Sequence, residues 1–78
     1  MRIKETRLVV TFHTTTDAMA MEAAGKETGL KGRLIPVPRA VTAGCGLAWS
    51  EPAGGHEALE LLLGERHLAF DRIMEMVI

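Results

Sequence analysis

From Arg7 to His13 the chain alternates, with Leu8, Val10 and Phe12 on one side and Val9 and Thr11 on the other, which predicts a strand at the centre of a sheet. Thr14-Thr15-Thr16-Asp17 then offers hydroxyl and carboxylate groups that can cap orphan amides. The run from Ala18 to Glu27 favours a helix, with Ala20, Met21 and Ala24 on its apolar side and Gly29 as its stop. Gly32 to Pro36 reads as a second, short strand. Pro36-Val37-Pro38-Arg39 is a stiff exit from it, because each proline fixes φ and lacks an amide donor. Ala40 to Gly44 forms a loop, and strand character resumes from Gly46 to Ser50 through Leu47 and Trp49, leaving Cys45 at the return of a wide hairpin. Glu51-Pro52-Ala53-Gly54-Gly55 breaks the chain. A second helix from His56 to Glu65 carries Ala58, Leu59 and Leu62 as a stripe widened by Leu61 and Leu63. The last strand, Leu68 to Ile78, sets Phe70, Met74 and Met76 against Ile73 and Val77.

This order, β-α-β-β-α-β, predicts an α+β fold. It matches the split βαβ of a ferredoxin-like two-layer sandwich, an antiparallel four-stranded sheet in the order 4-1-3-2 with two helices on one face. The 78 residues form a single domain, near the size at which a core becomes hard to complete unaided. The uncovered face is left for solvent, a partner chain or a copy of this one, so a homo-oligomer is one expected outcome.

Composition narrows the function. One cysteine cannot close an intrachain disulfide, and no paired Cys or His spacing suggests structural zinc, so neither a metal nor a cofactor is called for. The mixed-charge start and the short run Leu8-Val9-Val10 do not resemble a secretion signal, and no apolar stretch approaches the ~18 residues of a membrane span. A reducing, cytoplasmic setting is expected, since a free thiol persists there. With nine basic and ten acidic residues and only Phe12, Trp49 and Phe70 as aromatics, the chain lacks the platforms and basic surround of a nucleic-acid binder.

The expected topology brings distant chemistry together. His13, the threonines Thr14 and Thr15 at the start of the first helix, and Cys45-Gly46 all fall at one end of the sheet, as do the end of the second helix and His67. A helix N-terminus stabilises an anion, and a thiolate is one. Arg39 and a donating His13 or His67 would add to this, while Gly44 and Gly46 remove crowding around the sulfur. Plainer roles stand beside these. A lone cysteine serves as a small buried hydrophobe, His13 ends a strand in solvent, Arg39 joins a surface ion pair, and the threonines only cap. Clamping a soft metal ion needs a Cys-x-x-Cys pair, which is absent. Hydrolysis by an asparagine-oriented water needs an asparagine, and the chain has none. A zinc site from Cys45, His13 and His67 has no local spacing behind it.

Leu34-Ile35-Pro36-Val37-Pro38-Arg39 followed by Cys45-Gly46-Leu47-Ala48, with Thr11-Phe12-His13-Thr14-Thr15, Ala18 and Glu22 upstream, resembles the small bacterial family named putative selenium/sulfur carrier protein-like, over roughly residues 7 to 77. The resemblance implies a carrier rather than a true enzyme, in which Cys45 takes up sulfur or selenium as a persulfide or perselenide. It also implies two protein partners, a cysteine desulfurase-like donor and an acceptor. The alternative reading is a non-catalytic module that binds a small anion or mediates dimerisation.

Overall fold

The computed structural model describes residues 4–39, 41 and 45–78. Its elements run β1 (Thr6–Thr11), α1 (Thr15–Thr28), β2 (Arg33–Pro36), β3 (Leu47–Pro52), a 3-10 turn (Ala53–Gly55), α2 (His56–Glu65) and β4 (Arg72–Val77). The four strands form one antiparallel sheet in the order β2-β3-β1-β4, the ferredoxin-like arrangement that the element order predicts. Among the described residues no helix is long and apolar enough to cross a membrane.

The strand boundaries differ from the sequence expectation in physically informative ways. β1 stops at Thr11 because the Thr11 carbonyl accepts the Asp71 amide at 2.7 Å and its hydroxyl accepts the Arg72 amide at 3.2 Å, stapling the start of β4 there. The expected strand from Leu68 is therefore shortened to Arg72, and Phe70 lies outside it, 38% exposed. α1 begins three residues earlier than Ala18, since Thr14 is the N-cap and its Oγ1 accepts the Asp17 amide at 3.1 Å. Glu51-Pro52 does not break the chain. β3 runs through both, paired to Leu8 and Arg7 of β1, because Glu51 continues the alternation of Leu47 and Trp49.

The core lies between the helices and one sheet face. Leu8, Val10 and Phe12 of β1 and Trp49 of β3 meet Ala18, Met21 and Ala24 of α1 and Leu59, Leu62 and Leu63 of α2. The expected stripes are partly corrected: Ala20 and Ala58 are exposed, and so is Leu61 at 63%. A helix face is about one residue in three wide, so burying Met21 and Leu59 turns these neighbours outward.

Trp49, 1% exposed, sets the spacing of this layer. Its indole Nε1 donates to Glu51 Oε1 at 2.8 Å, and the same oxygen accepts the Gly32 amide at 3.2 Å. A Cβ on Gly25 of α1 would stand 2.7 Å from the indole ring, and one on Gly32 would stand 2.6 Å from Nε1. The two glycines are where backbone must touch the ring.

The opposite face carries Arg7, Val9 and Thr11, with Ala48 and Ser50 opposite them. Val9, Thr11, Ala48 and Ser50 are buried without a helix above them. Longer neighbours on the edge strands, Ile35, Met74 and Met76, stand over these smaller central residues. Arg7 adds cover by reaching across to Ser50, with Nε 2.9 Å from its Oγ.

Gly25→Ala decides between two effects. Helix propensity favours alanine by about 1 kcal/mol, whereas forcing a methyl into a filled core costs roughly 1–3 kcal/mol. Because the ring it meets is sealed, we expect net destabilisation of up to roughly 2 kcal/mol in urea unfolding. A gain in stability would show that the indole has room to move.

Candidate functional site

Cys45 precedes β3 and lies half-buried against the edge of the core. Two residues later Leu47 enters the strand and holds the sulfur. Its amide donates to Sγ at 3.4 Å, and the thiol faces its carbonyl oxygen at 3.5 Å. Gly46 makes this tight return possible. Its φ of 78° lies in the left-handed region, and a Cβ there would meet nothing within 4 Å, so conformation rather than space requires the glycine. The Gly46 carbonyl accepts the Val37 amide at 3.0 Å, which ties the Pro36–Pro38 exit to the cysteine turn. A second bond, Val41 N–H to the Pro38 carbonyl at 2.9 Å, closes a turn around Arg39.

The sheet register puts this turn at the same end as the start of α1. Thr11, the last residue of β1, pairs with Ala48, three residues beyond Cys45. The side chains expected to serve the sulfur are nevertheless engaged elsewhere or point into solvent. His13, with a side chain 68% exposed, lies 3.5 Å from Asp71 Oδ1, on the β4 side of β1 and away from β3. Thr14 caps α1, and Thr15 is the exposed first residue of that helix. Arg39 is exposed in its turn. Gly44, with Ala40, Thr42 and Ala43 of the same loop, lies outside the described residues. Among the described residues, the hydrogen-bonding partner of the sulfur is the Leu47 backbone rather than the α1 amides.

His67 has a conformational task. It sits at φ 51° just after α2, where its amide bonds the Gly64 carbonyl at 3.3 Å and the Leu68 amide bonds the Leu63 carbonyl at 3.1 Å. That is the helix-closing pattern usually given to glycine. Among the described residues no group of three His, Cys, Asp or Glu side chains is placed to hold a metal ion.

Sequence reading passed over two features. The first is the Glu51 carboxylate, 2% exposed beneath Trp49, which the continuing alternation of β3 signals. The second is a cationic groove on the helix-free face, formed by residues far apart in the chain.

What the arrangement offers chemically is one half-buried thiol near the end of the sheet, with an amide N–H aimed at it. Two substitutions probe the left-handed residues. Gly46→Ala should cost roughly 1–2 kcal/mol in urea unfolding through φ strain alone. His67→Gly should stabilise by roughly 0.5–1 kcal/mol, the relief of strain being partly offset by the added freedom of the unfolded chain.

The model of the family described as Putative Se/S carrier protein-like matches residues 7–75. Neither a curated protein nor a solved structure matches the chain.

Proposed function

Because the chain belongs to the Se/S carrier protein-like family over residues 7–75, we propose that Cys45 is a carrier thiol that accepts sulfane sulfur, or its selenium counterpart, and hands it on. The observation that carries this reading is that Cys45 is the chain's one cysteine and falls within the matched region, with the Leu47 amide directed at its sulfur.

The chemistry needs no cofactor. The Cys45 thiolate attacks the outer sulfur of a donor persulfide, forming an S–S bond as the donor's own S–S bond breaks and the donor cysteine departs as a thiolate. Cys45 then holds the outer sulfur as a persulfide. An acceptor thiolate attacks that sulfur in turn, and Cys45 leaves as a thiolate, so the two steps involve no net oxidation. The Leu47 N–H is directed at Sγ, so a donor stands beside the sulfur that departs in the second step. In this reading the donor is a protein of cysteine desulfurase type, the setting is the reducing cytoplasm, and the protein turns over sulfur without transforming a substrate of its own.

Incubation with a cysteine desulfurase and cysteine, followed by intact mass spectrometry, tests the proposal. The expected product carries one added sulfur that dithiothreitol removes and Cys45→Ser lacks. An unmodified mass under conditions that load a control carrier overturns it.

A further inference from the structure

The helix-free face holds a groove of about 850 Å³ whose walls include Arg7, Lys31, Arg33, Ile35, Ser50 and Pro38. Its charge is lopsided. In a chain with nine basic and ten acidic residues, the described residues that line this groove bring three cationic side chains and one acidic side chain, Glu5, with Ile78 also in the wall. Glu5 is already paired with Arg7, whose guanidinium also bonds Ser50 Oγ and the Ser50 carbonyl. The uncompensated charge therefore comes from Lys31 and Arg33, both exposed.

Among the described residues the groove borders an unpaired strand edge. β2 is an outer strand, and the Val37 amide bonds the Gly46 carbonyl, which makes that residue pair a hydrogen-bonded one. Antiparallel pairs alternate, so Ile35 with Ala48 and Arg33 with Ser50 also turn their backbone groups toward β3. Leu34 and Pro36 then turn theirs outward. Pro36 has no N–H to leave unpaired, whereas Leu34 presents both an N–H and a carbonyl.

From the charge and the edge together we infer that this groove is a docking site for an extended acidic segment of a partner protein, added as a strand beside β2. Its backbone pairs with Leu34. Because Arg33 projects to the helix-free face and strand side chains repeat every second residue, acidic side chains at alternate positions fall beside Arg33 and Lys31. A second copy of this chain is a poor occupant, since two such faces brought together oppose like charges. The groove is also longer than one inorganic anion fills, and its far end at Pro38 adjoins the turn that carries Cys45. The inference stands independently of the sulfur reading.

The probe is an acetylated, amidated Glu-Val-Glu-Val-Glu peptide titrated into the nitrogen-15-labelled protein. Saturable shifts at Lys31 to Ile35, slower hydrogen exchange of the Leu34 amide and weakening with added salt are expected. The double variant Lys31→Glu, Arg33→Glu, with an otherwise unchanged spectrum, should bind about tenfold more weakly or worse. Cys45→Ser should bind as the parent does, which separates this result from any failure of sulfur loading. Four outcomes overturn the inference: no saturable shift at millimolar peptide, equal binding of a Lys-Val-Lys-Val-Lys peptide, shifts centred on β4, or the same shifts from inorganic phosphate alone with the Leu34 amide unprotected.

Discussion

A carboxylate buried beneath an indole holds this small fold together. Glu51 lies 2% exposed, and its Oε1 accepts from both the Trp49 indole and the Gly32 amide. Desolvating a carboxylate is costly unless donors replace water, and these two replace it at one oxygen. The arrangement also dictates where side chains must be absent. A Cβ on Gly25 or Gly32 would press on Trp49, and one on Gly55 would stand 2.8 Å from Glu51 Oε2. Three segments, the end of α1, the approach to β2 and the turn before α2, are thereby placed against one residue pair of β3. In a domain of this size, with few large aromatics to fill the core, such a fixed point substitutes for bulk.

With β3 anchored at its end, its beginning is placed as well. The register carries the strand from Glu51, opposite Leu8, back to Ala48, opposite the last residue of β1. Cys45 follows from that register: it stands beyond the last paired residues, where Gly46 reverses the chain and the Leu47 amide turns toward the sulfur. The same register assigns opposite uses to the two sides of the sheet. Residues in phase with Trp49 build the core and end at the cysteine, while residues in phase with Ser50 face the cationic groove. The two features adjoin through the Val37 to Gly46 hydrogen bond, although they belong to different faces.

Much of the architecture was legible in the chain. Strand alternation around Val9 and around Trp49, the threonine cap, Gly29 at φ 78° after α1 and the leucine stripe of α2 are all local signals, and each element formed where its pattern lies. The errors share a cause. Glu51-Pro52 resembles a chain break because a charge and a proline normally leave a sheet, and only the indole and the Gly32 amide make that charge bearable inside. Ala20 and Leu61 have apolar character but no partner, because helix rotation is decided by Trp49 and the sheet rather than by the helix itself.

The site divides in the same way. Sequence alone determined that the chain has one thiol, next to a glycine, and that a ferredoxin-like order brings it to the end of the sheet where α1 starts. Which groups meet the sulfur, and which side of the sheet gathers cations, was settled by tertiary structure. His13 pairs with Asp71, Thr14 caps its own helix, and the Leu47 amide bonds the sulfur. Hydrogen bonds and charges are satisfied by whichever group arrives at bonding distance, and that distance is a property of packed strands, while periodicity reports only which element a residue joins.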